Sequence, residues 1–157
     1  MKSMTLAAAA TLLPLAGLAA DLTVEDAYLR SANPMTGAAF MRIDNPGEAA
    51  CMLTAVTSDV AERIELHTHE EEDGVMRMRR IEGGIAIPAG SAVQLDRGGD
   101  HVMLLGLTRS LADGDRVAFQ LDLGDCGTQE VEAVVDNTRD ASHAAEGADP
   151  HADHSGH

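Results

Sequence analysis

The sequence predicts an all-β domain, an antiparallel β-sandwich followed by a flexible tail, and three observations lead to this prediction. Short apolar runs alternate with turn residues along most of the 157-residue chain. No stretch keeps a helical period of apolar residues for more than one or two turns. The length is that of one ordinary domain, large enough to bury a core. Many short strands at regular spacing are typical of sandwiches and barrels.

Eight apolar runs are predicted to form strands, at residues 38–43, 51–56, 63–67, 75–81, 92–95, 101–107, 116–123 and 130–135. Gly, Pro, Asn and Asp cluster between these runs, as in Asn45-Pro46-Gly47, and such clusters are typical of turns. The pair Asp73-Gly74 indicates a hairpin between the third and fourth predicted strands.

The N-terminus carries the features of a signal peptide. Lys2 is followed by an apolar run and by small residues that offer cleavage near Ala19 or Ala20. The run is shorter than the roughly 20 residues of a spanning helix, and Pro14 interrupts it. We therefore expect residues 1–20 to direct export to the periplasm, with no membrane span after cleavage. An uncleaved membrane anchor is the alternative.

The C-terminus also departs from the strand pattern. Residues 137–157 are rich in Ala, Gly, Asp, Ser and His. A segment of this composition buries too little apolar surface to fold alone, so a disordered His-rich tail is predicted. Residues 21–136 then form the folded domain.

Cys51 and Cys126 are the two cysteines of the chain and lie 75 positions apart. They form no CxxC pair, and no further Cys is present to complete a metal cluster. In an oxidising compartment this arrangement predicts one structural disulfide. Two free buried thiols are the alternative.

The charge of the chain excludes several classes of partner. There are 11 basic and 26 acidic side chains, giving a formal net charge of −15. Such a surface repels nucleic-acid phosphates, and no basic amphipathic stretch would bind anionic lipid. The sequence motifs of hydrolases, P-loop proteins and dinucleotide-binding enzymes are absent, so we expect a protein that is not an enzyme. Eight Met and seven His stand out in this composition.

A first pair of candidate ligands lies on one predicted strand. His101 and Met103 are two positions apart, so their side chains share a face at a spacing of roughly 6–7 Å. Thioether sulfur is a soft, neutral ligand that suits Cu(I), and imidazole accepts copper in either oxidation state. Zn(II) prefers Cys, His or carboxylate ligands. Simple core packing of Met103 is the alternative.

A second group of candidates lies in the predicted hairpin of residues 67–78. A strict two-residue turn would pair His69 with Met78. A wider loop would instead pair His67 with Met78 and His69 with Met76. Both registers place the two His on the same face as the two Met, so the sequence alone leaves the choice open.

The predicted tail offers a further metal site. Its four imidazoles alternate with carboxylates in a tract with affinity for Cu(II), at His143, His151, His154 and His157. A solvated acidic tail without metal affinity is the alternative.

Taken together, these residues resemble the PCuAC family of periplasmic copper chaperones. The layout of that family is a His, ten residues, a Met, about twenty-two residues and then His-x-Met. His67, Met78 and the segment His101-Val102-Met103 fit this layout. The surrounding segments are also similar, at residues 37–41, 65–67, 73–78, 87–90 and 98–107. The resemblance covers about residues 22–136.

The resemblance implies a cupredoxin-like sandwich that binds one Cu(I) at an exposed end through His67, Met78, His101 and Met103. It favours the register in which His67 and Met78 are ligands, and it leaves His69 and Met76 as secondary neighbours. The family's tails take Cu(II), and this tail has the His but no Met.

The resemblance also implies a function in copper delivery. The expected acceptor is the copper-A centre of cytochrome c oxidase, with oxidase subunit II or a Sco-type protein as the partner. Transfer would proceed by ligand exchange from a monomeric carrier. Periplasmic copper sequestration or resistance, without a dedicated acceptor, is the alternative function.

Overall fold

The computed structural model describes residues 22–139 and confirms the predicted all-β class. Within these residues, eleven strands follow one another: β1 (Thr23–Asn33), β2 (Thr36–Asn45), β3 (Cys51–Leu53), β4 (Ala55–Thr57), β5 (Ala61–Glu72), β6 (Val75–Arg80), β7 (Ile85–Ile87), β8 (Ser91–Leu95), β9 (His101–Leu107), β10 (Arg116–Asp122) and β11 (Thr128–Val135). One 3-10 turn covers Gly124–Cys126. Within the described residues, no helix is long and apolar enough to cross a membrane. The predicted signal peptide and residues 140–157 of the predicted tail lie outside the described part of the chain.

Two strands were not predicted from the sequence, β1 and β7, and one predicted strand divides at Thr54 into β3 and β4. β1 is hidden because a bulge breaks its alternation. Glu25 pairs with Arg42, whereas Tyr28 pairs with Phe40, so β1 carries one extra residue between these pairs. Asp26 within this stretch has a left-handed φ of 54°. A bulge shifts the residues that follow it to the other phase of the strand period.

The strands form one large sheet in the order β4-β10-β11-β1-β2-β9-β5-β6, with β8 paired to β2, and a small second sheet of β3 and β7. β2 changes partner along its length, since residues 36–39 pair with β9 and residues 41–45 pair with β8. The described strand pairs are antiparallel except for β1 with β11, which is parallel. The antiparallel prediction is therefore wrong for that one pair.

Within residues 22–139, the core is one cluster of mainly aliphatic side chains, and Phe119 is the largest of those that are fully buried. Met41 is fully buried in this cluster, which is the usual fate of a Met in a β-domain. β10 shows the strict alternation of buried and exposed residues expected of a strand with one solvated face. The candidate ligands lie outside this core, on the opposite face of β9 and of the strands that follow it in the sheet, β5 and β6.

A disulfide joins Cys51 and Cys126, with their Cα atoms 5.7 Å apart. Cys51 begins β3 of the small sheet, and Cys126 ends the 3-10 turn after β10. The bond therefore ties the small sheet to the edge of the large one. Because it closes a long loop, it restricts the unfolded chain strongly.

We predict that replacing both cysteines, Cys51→Ser with Cys126→Ser, lowers the free energy of unfolding by about 2–4 kcal/mol. Urea denaturation of the oxidised wild type and the variant measures the difference. Reduction of the wild type with a thiol reagent should reproduce most of this loss. Identical urea midpoints for the oxidised protein and the variant would contradict the prediction.

Candidate metal centre

The sheet register brings the candidate ligands onto one face. β5 lies between β9 and β6 in the large sheet. Its cross-strand pairs are His67 with His101, Glu65 with Met103, His69 with Met78 and Glu71 with Met76. Directly paired residues point to the same side of a sheet. The alternate residues of the same strands, such as Leu66 and Val102, are buried in the core.

The hairpin between β5 and β6 has the tight two-residue turn. Glu72 pairs with Val75, and the two central residues both have left-handed φ angles, 54° at Asp73 and 77° at Gly74. Asp-Gly adopts this turn readily, because its second residue has no Cβ and its first tolerates a positive φ. His69 therefore lies directly opposite Met78.

The wider-loop register, which the family resemblance favours, does not form. His67 lies opposite Arg80 instead of Met78. His67 and Met78 are diagonal neighbours on the shared face, and long side chains reach such neighbours across about 7–8 Å. The register alone therefore keeps both His residues of β5 within reach of Met78.

A groove of about 450 Å³ lies on this face. Four of the six candidates from the folded domain line it: His69, Met78, His101 and Met103. The rest of the lining comes from β2 and from the loop before β9, at Gly37, Ala38, Phe40, Arg97 and Gly98. Met78 is 48% exposed, whereas His101 is 3% exposed. The groove therefore has a buried imidazole at one side and an accessible thioether at the other.

His101 is held in one orientation. Its Nδ1 lies 3.1 Å from the carbonyl oxygen of Gly99, which accepts a hydrogen bond. The Phe40 ring lies 6.2 Å from its ring, and the His69 ring stacks on it at 5.1 Å. Burial lowers the pKa of His101, against the opposing effect of the Gly99 carbonyl. The ring is thus neutral at neutral pH, and its Nε2 is left to bind a metal.

The His67 ring is also held in place, by contacts with Glu65 and His101. Its Nε2 lies 2.8 Å from Oε2 of Glu65, and its ring lies edge-on to His101 at 5.9 Å. Within residues 22–139, its buried Nδ1 has no hydrogen-bond partner. An unpaired buried acceptor costs about 1–3 kcal/mol, so a ligand on this nitrogen would relieve an unfavourable state.

The remaining candidates occupy different surroundings. His69 is half-buried, and its Nδ1 lies 3.4 Å from the Gly99 carbonyl oxygen. Met76 is exposed, lies opposite Glu71 and does not line the groove. The four tail candidates, His143, His151, His154 and His157, lie outside the described residues.

Within residues 22–139, no group of three or more His, Cys, Asp or Glu side chains is arranged to hold a metal ion. The groove lining adds the thioether sulfur atoms of Met78 and Met103 to the imidazoles of His69 and His101. Soft thioethers select Cu(I) over Zn(II).

Sequence reasoning missed three parts of this site: Glu65, Phe40 and the Gly99 carbonyl. Glu65 lies two residues before His67 on one strand, so the strand period alone would have placed both on one face. No comparable signal exists for Phe40 or Gly99, because their positions depend on the pairing of β2 with β9 and on the loop before β9.

Comparison with known proteins places the domain in a family. Residues 22–135 match the model of the family described as "Putative lipoprotein LpqE-like". A protein of Leifsonia xyli subsp. xyli, named "Putative lipoprotein Lxx21020", is 32% identical over 112 residues, which cover 71% of this chain and 68% of that protein.

Solved structures with the same fold include PCuAC domains. The copper-bound PCuAC domain from PmoF2 has a TM-score of 0.61 at 21% identity and covers 73% of this chain and 91% of that domain. Apo-DR1885 from Deinococcus radiodurans is 29% identical, with a TM-score of 0.57 over 86% of this chain and 93% of that one. The CuI form of DR1885 is 27% identical, with a TM-score of 0.56 over 77% and 80% of the two chains. The predicted sandwich architecture is therefore the one seen in PCuAC domains.

The lowered pKa of His101 gives a prediction for stability against pH. Because burial disfavours its protonation in the fold, the unfolded chain takes up a proton there more readily, and stability falls as the pH drops below about 6.5. The wild type should lose more free energy of unfolding between about pH 7.5 and pH 5.5 than His101→Asn, measured by urea denaturation. Equal losses in the two proteins would contradict this origin of the pH dependence.

Proposed function

The chain belongs to the LpqE-like family, and we propose that it is a copper carrier of the bacterial cell envelope and not an enzyme. The observation that carries the proposal is the groove itself, in which the thioethers of Met78 and Met103 meet the imidazoles of His69 and His101 on one face of the sheet. The copper-bound PCuAC domain from PmoF2 and CuI-DR1885, whose structures share this fold, support it. The name of the Leifsonia relative supports a location in the envelope, which we propose to be the periplasm.

We propose His67, Met78, His101 and Met103 as the ligands of one Cu(I). His101 is neutral, and the Gly99 carbonyl leaves its Nε2 free. His67 does not line the groove, but its ring lies 5.9 Å from that of His101, and its buried Nδ1 lacks a partner within residues 22–139. Met78 and Met103 line the groove and supply the soft ligands. His69 is a secondary position on the same face, whereas Met76 lies opposite Glu71 and does not line the groove.

The exposure of the ligands favours release by ligand exchange. Met78 lies at the accessible side of the groove and His101 at the buried side. An incoming thiolate from an acceptor can displace Met78 while His101 still holds the ion. Neutral thioethers bind weakly enough to be replaced in this way, and no ligand needs to gain or lose a proton. The carrier acts as a monomer in this scheme.

The proposed acceptor is the copper-A centre of cytochrome c oxidase, reached through oxidase subunit II or a Sco-type protein. The tail residues His143, His151, His154 and His157 are proposed to take Cu(II).

Copper sequestration without an acceptor remains the second candidate, and the exposed Met78 is the observation that weighs against it. A storage site gains nothing from an accessible, replaceable ligand. Transfer of Cu(I) from the loaded carrier to a soluble copper-A domain, followed by the visible absorption of that domain, distinguishes the two functions. Retention of copper on the carrier would favour sequestration.

We predict one tight Cu(I) per chain in competition with a chromogenic Cu(I) chelator. Met78→Ala with Met103→Ala should weaken binding by at least about 100-fold, since each lost ligand leaves an incomplete coordination shell. Deletion of residues 140–157 should leave this Cu(I) site intact.

Met35→Ala with Met76→Ala is the matched control, because both of these Met are exposed and neither lines the groove. It should bind as the wild type does. If affinity survives the loss of Met78 and Met103 and disappears with the tail, the groove is not the copper site.

A further inference from the structure

Glu65 is a mostly buried carboxylate beside the proposed copper site. Its side chain is only 12% exposed, and it lies on β5 opposite Met103 and two residues before His67. Carboxylates are rarely this buried unless they are paired. Glu65 does not line the groove, and both of its oxygens are engaged by neighbouring side chains.

Three groups surround this carboxylate. Oε2 lies 2.8 Å from Nε2 of His67, and Oε1 lies 2.9 Å from Nε of Arg63 and 3.6 Å from Nη1 of Arg80. The two oxygens are thus divided, one for the imidazole and one for the guanidinium groups. Both Arg side chains are exposed and cover the solvent side of Glu65.

These contacts are those of a carboxylate that accepts hydrogen bonds. Oε1 faces two guanidinium groups, which can only donate, and Oε2 faces the imidazole of His67. An ionised carboxylate can only accept hydrogen bonds. Nε2 of His67 must therefore carry the proton that is shared with Glu65.

The position of this proton determines the state of the other nitrogen of the His67 ring, Nδ1. In a neutral imidazole with its proton on Nε2, Nδ1 holds the lone pair that binds metals. Nδ1 of His67 is the buried nitrogen that has no hydrogen-bond partner within residues 22–139. The carboxylate therefore fixes both the tautomer and the angle of the ring.

We propose that Glu65 is a positioning residue that accepts the Nε2 proton of His67 and thereby presents Nδ1 of His67 to copper. The inference rests on the proposed function, since it takes His67 as a ligand. The arrangement at His101 is the reverse. Its Nδ1–H donates a hydrogen bond to the carbonyl oxygen of Gly99, so its Nε2 is available to bind a metal. The two imidazoles then bind through different nitrogens.

Arg63 and Arg80 add a second effect. By pairing with Oε1, they restrain the carboxylate in its contact with His67 and leave that oxygen engaged. A carboxylate in the coordination shell would favour harder ions such as Zn(II). The arginine pair thus helps to keep a hard carboxylate ligand out of the proposed Cu(I) site.

The test compares Glu65→Gln with Glu71→Gln. The first change keeps the shape of the side chain but replaces an obligate acceptor with an amide that can donate or accept. Glu71 is the matched control, because it lies on the same strand and the same face but pairs with the exposed Met76. Cu(I) affinity of the full chain is measured against a chromogenic chelator.

We expect Glu65→Gln to weaken Cu(I) binding about 10–100-fold, the usual effect of removing a residue that orients a metal ligand. Glu71→Gln should leave the affinity unchanged. An affinity of Glu65→Gln within twofold of the wild type would overturn the proposal.

Long-range proton–nitrogen NMR of the metal-free wild type tests the hydrogen bond without any variant. We expect His67 to carry its proton on Nε2 in the wild type and to populate both tautomers in Glu65→Gln. A wild-type His67 protonated on Nδ1 would overturn the proposal. This spectrum does not depend on copper, so the two proposals can fail separately. A wild type that binds no Cu(I) would count against the proposed function. Normal Cu(I) affinity in both the wild type and Glu65→Gln would count against the role of Glu65 alone.

Discussion

The pairing of β5 with β9 and β6 is the constraint on which the rest of the site depends. Side chains alternate between the two faces of a strand, so a slip of one residue would send every ligand on β5 to the opposite face. The tight turn at Asp73-Gly74 fixes the pairing of β5 with β6, and the buried alternate residues Leu66 and Val102 fix its pairing with β9. The fold and the groove are thus set by the same hydrogen-bond register.

The proposed copper ligands are of two kinds, rigid imidazoles and adaptable thioethers. His101 is buried and His67 is mostly so, and each has one ring nitrogen engaged by a neighbouring acceptor. Met78 lies on the edge strand β6, all of whose residues are exposed, and its unbranched side chain can adjust to an ion or move aside for an acceptor. In the proposed carrier, this arrangement would order the site before copper binds while leaving one side open for exchange.

Much of this was predictable from the sequence, for physical reasons. The spacing of His101 and Met103 places them on one face of any strand, and Asp73-Gly74 specifies a hairpin wherever its flanks are strands. The choice of register was not predictable, because both hairpin registers put the same residues on the same face. β1 was missed because the bulge between Glu25 and Tyr28 breaks its alternation. The role of Glu65 needed the structure, since only contacts show which nitrogen of His67 is engaged.

The central claim is that thioether sulfur and imidazole nitrogen hold copper together in the groove. X-ray absorption at the copper edge of the Cu(I)-loaded protein lacking residues 140–157 tests it most directly, because sulfur and nitrogen scatter differently. The account predicts both sulfur and nitrogen neighbours around copper, with the sulfur contribution removed by Met78→Ala with Met103→Ala. A spectrum with nitrogen and oxygen neighbours alone would contradict it.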